Sequence, residues 1–169
     1  MGDATEFDPA LLATQLADVD VERRVAAAEK LSQAGKAAAG AAVPLVKACG
    51  DTDERVREYA VAALEDLGPP PQDAIASLTA LVKESDPLTA YWAVTLLGRA
   101  GQNAETAVAV LADCIDSGSD LSVRQRAAWA LGKIGPAAKA ASEALGRAAG
   151  NTDVRLARVA KEAIEAISG

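Results

Sequence analysis

The chain has 169 residues, half of them hydrophobic but only 3% aromatic, with a formal charge of −7 and no histidine. Burial carried by alanine and leucine favours closely packed helices over sheets, and the length suffices for one sizeable core. The missing histidine removes the commonest metal ligand and general base, and the charge argues against nucleic acid, which requires a basic stripe. The excess of acid is local. Asp3, Glu6, Asp8, Asp18, Asp20 and Glu22 all precede the first basic residue, Arg23, and read as a solvated end that keeps the molecule soluble. No apolar run approaches the roughly 20 residues of a membrane span. The N-terminus lacks the basic-then-apolar order of a signal peptide, so a cytoplasmic protein is expected.

Residues 1–6 are expected to be disordered. Asp8-Pro9 then opens a helix, the acid as cap and the proline in the first turn, with Leu12 and Leu16 on one face. From there the chain repeats itself. DVERRVAAAEKLSQAG (Asp20 to Gly35) is followed 33 residues on by DERVREYAVAALEDLG (Asp53 to Gly68). After another 33 comes DPLTAYWAVTLLGRAG (Asp86 to Gly101), and after 34 DLSVRQRAAWALGKIG (Asp120 to Gly135). A degraded fifth copy, DVRLARVAKEAIEAIS (Asp153 to Ser168), closes the series. A fixed period of this size means a repeat array. Each repeat reads as two helices, A and B. The A helices are predicted over 20–34, 53–67, 87–100, 120–134 and 153–167, the B helices over 7–17, 36–49, 71–84, 103–116 and 137–149. Gly35, Gly68, Gly101 and Gly135 end the A helices, as glycine does just past a helix C-terminus. Pro69-Pro70-Pro71 and Pro136 then prevent continuation.

Every A helix carries a small residue four before its key apolar one: Ala27 with Leu31, Ala60 with Leu64, Ala93 with Leu97, Ala127 with Leu131 and Ala160 with Ile164. That spacing puts both on one face. In the B helices Leu12, Leu45, Leu78, Leu111 and Leu145 hold the matching place. One helix pair cannot bury such stripes alone, so successive pairs must stack. The expected fold is all-α: a right-handed α-α superhelix of about ten helices in two layers. It forms one domain over 7–168, with a half repeat, four full repeats and a final A helix. Cys49 and Cys114 stand about two repeats apart, too far for a disulfide's reach of about 7 Å. They are expected to be buried, inert thiols.

Four of these copies share a turn Asp and an Ala, Leu, Gly series, and the second and fourth also hold Val-Arg and Ala-Leu pairs. The second copy shows it as Asp51, Asp53, Val56-Arg57, Ala60, Ala63-Leu64 and Gly68. In the fourth it is Asp120, Val123-Arg124, Ala127, Ala130-Leu131 and Gly135. This closely resembles HEAT repeats of the short type seen in phycobilisome-lyase-like proteins. Ankyrin and tetratricopeptide patterns are not matched. The resemblance covers about residues 7–168. It implies a ladder of hydrogen bonds in which Arg24, Arg57 and Arg124 meet turn acids such as Asp18 and Asp51. The third copy departs, with Thr89-Ala90 in place of Val-Arg, and so does the fifth, with Leu156-Ala157. The ladder should be interrupted there. Some relatives attach bilins and others act on alkylated DNA, but neither activity carries over residue by residue.

The chain holds no nucleophile–histidine pair, no Cys/His metal spacing and no phosphate loop. No cofactor and no catalytic or metal residue is assigned. Asp113 and Asp116, one turn apart, read as two solvated acids. Two surfaces remain. The predicted concave face presents Lys47, Lys83, Asp113, Glu143 and Arg147, mixed in sign and without aromatics. The outer face of the A helices gathers Tyr59, Tyr91, Trp92 and Trp129, which either fill grooves between helices or form a protein-binding patch. The reading is a non-enzymatic protein-interaction module or scaffold, monomeric or a weak homodimer, that binds another protein. The alternative is an accessory subunit of a bilin-handling, phycobilisome-lyase-like enzyme.

Overall fold

The computed structural model describes residues 7–117 and 120–169. The expectation for residues 1–6 lies outside them, as do Gly118 and Ser119 in the turn before the fourth A helix. Among the described residues there is no strand. The α-helices are α1 (Pro9–Gln15), α2 (Val21–Ser32), α3 (Ala42–Ala48), α4 (Glu54–Asp66), α5 (Ile75–Leu81), α6 (Pro87–Ala100), α7 (Val108–Ser117), α8 (Leu121–Ile134), α9 (Ser142–Ala149) and α10 (Val154–Ser168). Short 3-10 stretches lead into α3, α5, α7 and α9. No loop residue separates α6 from the 3-10 stretch before α7, or α8 from that before α9, so the ten α-helices fall into eight contiguous helical segments among the described residues, two of them turning sharply at Gly101 and Gly135.

Aspartate sets the start of each A helix. The carboxylates of Asp20, Asp53, Asp86, Asp120 and Asp153 accept a backbone N–H of the first turn, at 2.7–3.1 Å. Each thereby satisfies a donor the helix itself leaves unpaired. Glycine sets the ends of α6 and α8, but not as a left-handed cap. Gly101 has φ 58°, ψ −136° and Gly135 has φ 73°, ψ −143°. That combination belongs essentially to glycine alone. It turns the chain straight into the following 3-10 stretch, which replaces the first turns of the B helix predicted there.

The chain forms two compact units, Met1–Gly68 and Pro69–Gly169. In the first, α2 lies beside α4, and α1 packs on α2 and on the 3-10 stretch before α3. Its core holds Leu12, Leu31, Leu45, Leu64 and Leu67. In the second, α6, α8 and α10 form one layer, and α7 packs against α9 in the other. Leu78, Leu97, Leu111, Leu131, Leu145 and Leu156 fill its core. Each such side chain contributes about 1.5–3 kcal/mol through burial. Ile164 departs from expectation and is only half-buried. On α10 the buried stripe is Leu156, Ala160, Ala163 and Ile167, and Ile164 sits at its edge because α10 packs mainly toward α8, α9 and the 3-10 stretch before α9.

Candidate functional site

The second unit carries a groove of about 680 Å³ along the outer face of α6, α8 and α10. Its floor is an arginine held between two aromatic rings. The Arg126 guanidinium carbon lies 4.8 Å from the centre of the Tyr91 ring and 4.7 Å from that of Trp129, and Arg126 Nη2 donates to the Tyr91 hydroxyl. Helix spacing explains half of this clamp. Arg126 and Trp129 stand three apart on α8 and so share a face. Tyr91 comes from α6, which lies alongside. Gly98 lets the helices meet there: a Cβ at that position would stand 2.9 Å from Trp129 Cε3. Leu88, 37% exposed, adds an apolar wall. Arg155, Arg158 and Glu162 of α10 line the far side.

The aromatic residues are therefore not equivalent. Trp92 is a correction to the sequence reading: it is 6% exposed and offers no surface to a partner. The reason is α6 itself, buried around most of its circumference from Thr89 to Gly98. Its ring meets Tyr91 edge-on at 5.9 Å and lies under Arg99. Tyr59 is half-buried on α4 of the first unit, whereas the other three belong to the second. Tyr91 and Trp129 are half-buried and both reach the groove. Sequence reasoning missed Arg126, Arg155, Arg158 and Leu88. The arginine three residues before Trp129 was the one available signal.

The arginines read as ladder residues grip turns. Arg24 Nε and Nη2 donate to the Asp51 carboxylate at 2.8 and 3.0 Å, and Nη1 to the Asp18 carbonyl at 3.0 Å. Arg57 donates to the Asp51 and Thr52 carbonyls. Arg124 donates to the Ile115 carbonyl at 2.8 Å, and the link from α8 to the last A helix passes instead to Gln125 and Asp153. Asp18 accepts the Asp20 N–H and pairs with Arg23.

Lys47, Lys83, Asp113, Glu143 and Arg147 are all exposed. Lys47 belongs to the first unit and the rest to the second. Arg147 is engaged with Asp116 and Glu143, and the Arg147 bond holds the Asp116 carboxyl below its ordinary range. Lys83 and Asp113 line a second depression of about 590 Å³, with Cys114 at its edge. Cys49 and Cys114 are buried; burial pushes the Cys114 thiol pKa up. Among the described residues no three His, Cys, Asp or Glu side chains cluster to hold a metal. None of the described helices is long and apolar enough to cross a membrane.

The sequence profile of HEAT repeats matches residues 9–98 and 75–168. The chain belongs to the HEAT-repeat family. Among solved structures, this HEAT-repeat chain is similar to an engineered protein (25% identity, TM-score 0.65), covering 95% of its own length and 48% of that chain. It thus spans about half of that relative. A designed armadillo repeat protein, solved with a (KR)4 peptide, matches at 19% identity and TM-score 0.68, over 92% of this chain and 80% of that one. The complex of CpcE and CpcF of phycocyanin lyase from Nostoc sp. PCC7120 matches at 20% identity and TM-score 0.65, over 99% and 67%. At these identities the last two show the fold alone. No match is found among the curated proteins.

Proposed function

We propose that this HEAT-repeat chain is a non-enzymatic protein-interaction module that docks a partner protein in the outer groove of its second unit. One observation carries the reading: Arg126 is clamped between Tyr91 and Trp129 on the floor of an open groove. Aromatic rings and arginine are the side chains that concentrate binding energy at protein interfaces. A guanidinium stacked on rings also loses little freedom when a partner binds. The concave-face candidates offer less. Arg147 is already engaged with two acids, and neighbouring positions such as Ala76 and Ala109 are alanines. On this reading the protein works in the cytoplasm, as a monomer or weak homodimer, with no cofactor and no nucleic acid.

The test is quantitative capture of partners from extracts of the source cells, comparing the wild type with two surface variants. Leu88→Ser should abolish capture of the principal partner while leaving helical content unchanged. Lys83→Ser combined with Glu143→Ser should retain it. The opposite pattern would move the docking surface to the concave face. A shift in bilin absorbance on mixing with the wild type would instead favour a tetrapyrrole-handling accessory subunit.

A further inference from the structure

The groove holds more positive charge than it can neutralise. Arg126, Arg155 and Arg158 line it together with two acids, Asp120 and Glu162. Both acids are occupied. Asp120 caps α8 through the Val123 N–H at 3.1 Å, and Glu162 receives Arg158 Nη1 at 2.6 Å. Asp153 accepts the Leu156 N–H and the Gln125 amide, and the charge of Arg155 acts on its carboxylate only as a weaker influence than these bonds. Among the described residues neither Arg126 nor Arg155 forms an ion pair. The sign of this end is also opposite to that of the whole chain. Residues 120–169 carry eight Lys and Arg against five Asp and Glu, within a molecule of net charge −7.

We infer that the groove binds an extended acidic peptide segment of a partner protein, with Arg126 as the principal hydrogen-bond donor to its carboxylates. The inference rests on the docking surface proposed above and names the chemistry it selects. The Tyr91 and Trp129 rings, centred 4.8 and 4.7 Å from the Arg126 guanidinium carbon, restrict its movement, and Tyr91 takes up only one of its N–H groups. A guanidinium fixed in this way presents the remaining donors in the fork that matches a carboxylate. Arg155 supplies a second anion contact from the facing helix. The groove also continues. A smaller depression of about 260 Å³ shares Trp129, Val159 and Glu162 with it and is lined by Lys133 as well, whose ammonium lies 6.0 Å from the Trp129 ring. From Ser122 to Lys133, α8 rises about 16 Å, the reach of about five extended residues. A nucleic acid fits less well. Its bases need open ring faces, whereas Trp129 is covered by Arg126 and lies against Gly98.

The experiment is fluorescence anisotropy of a labelled (Asp-Glu)4 peptide titrated with the full chain, with a labelled (Lys-Arg)4 peptide beside it. The acidic peptide should bind, more weakly as salt is raised, and the basic one should not. Arg126→Lys keeps the charge but loses the fork and the stack, and should weaken binding roughly tenfold. Arg155→Gln should weaken it severalfold, and Arg147→Gln should leave it unchanged. Circular dichroism of each variant checks the fold; if Arg126→Lys does not fold, Arg155→Gln decides. The inference is overturned if the basic peptide binds as tightly, if Arg155→Gln binds like the wild type, or if inorganic phosphate at the same concentration displaces the peptide. Failure of the acidic peptide to bind, with partner capture still lost in Leu88→Ser, would refute the acidic ligand and leave the docking surface standing. Capture that is indifferent to Leu88→Ser would refute the surface itself.

Discussion

The ring of Trp129 on α8 lies against Gly98 of α6, where any side chain would collide with it. The tryptophan is thus both a packing residue and part of the groove floor. Gly98→Ala would gain about 1 kcal/mol of helix propensity. It would also incur about 1–3 kcal/mol of overpacking, because the ring must leave its seat. The expected net result is a loss of up to about 2 kcal/mol in chemical denaturation. A change in native tryptophan emission should accompany it as the ring is displaced. An alanine variant at least as stable as the wild type would show that the ring moves aside freely.

Much of the fold was legible because one pattern is written several times. The aspartate caps, the Ala-to-Leu spacing and the glycine ends recur with a fixed period, so each copy corroborates the others. What the period could not show is how far a helix face is covered. Trp92 and Arg126 occupy the same place in successive copies, yet Trp92 is buried and Arg126 lines the groove. The difference lies in which neighbouring side chains surround each one. The Arg126 clamp needs Tyr91 from another helix, a contact that no single-helix projection contains. Ile164 follows the pattern in sequence but is only half-buried, because α10 is packed from one side.

Two glycines should respond to alanine in opposite directions. Gly135 has φ 73° and an open site around any added Cβ. Its cost is therefore purely conformational, about 1–3 kcal/mol. Gly135→Asn should not rescue it, since ψ lies outside the left-handed helical region. Gly146 sits within α9, exposed, with nothing near its Cβ. Gly146→Ala should stabilise by about 0.5–1 kcal/mol through helix propensity and reduced freedom of the unfolded chain. Melting temperatures of the two variants, measured side by side, check both signs.

The two thiols should react slowly and in order. Cys49 is fully buried and its thiol donates to the Leu45 carbonyl at 3.5 Å. Cys114 is 9% exposed at the edge of a depression. Burial raises its pKa, opposed only by the charge of Arg124, so little thiolate forms near neutrality. Mass spectrometry during labelling with a thiol reagent should show Cys114 modified before Cys49. Its rate should rise with pH through and beyond the ordinary thiol range. Both should react at once in denaturant. Equal rates at the two sites would mean that reaction proceeds through global unfolding.

Acid should test the bridge between Arg24 and Asp51. Burial alone would push the Asp51 carboxyl up. The Arg24 hydrogen bonds, the Asp53 N–H and the Arg24 charge together outweigh burial and hold its pKa below the ordinary value. A carboxyl lowered in the folded state stabilises the protein above its unfolded pKa of about 3.9. That contribution is lost as pH falls through the lower, folded value. Asp51→Asn should therefore melt a few degrees below the wild type at pH 7, with the gap closing toward pH 2. Other lowered carboxyls, such as Asp18 and Asp53, contribute to both proteins and largely cancel in the difference. Arg24→Gln should behave otherwise. It leaves Asp51 buried without its partner, so the folded pKa rises above the unfolded one and the sign inverts. Mild acidification from pH 7 toward pH 4 should then narrow the deficit of that variant against the wild type. A deficit independent of pH in both variants would mean that the pair acts through packing, and that its charges contribute nothing to stability.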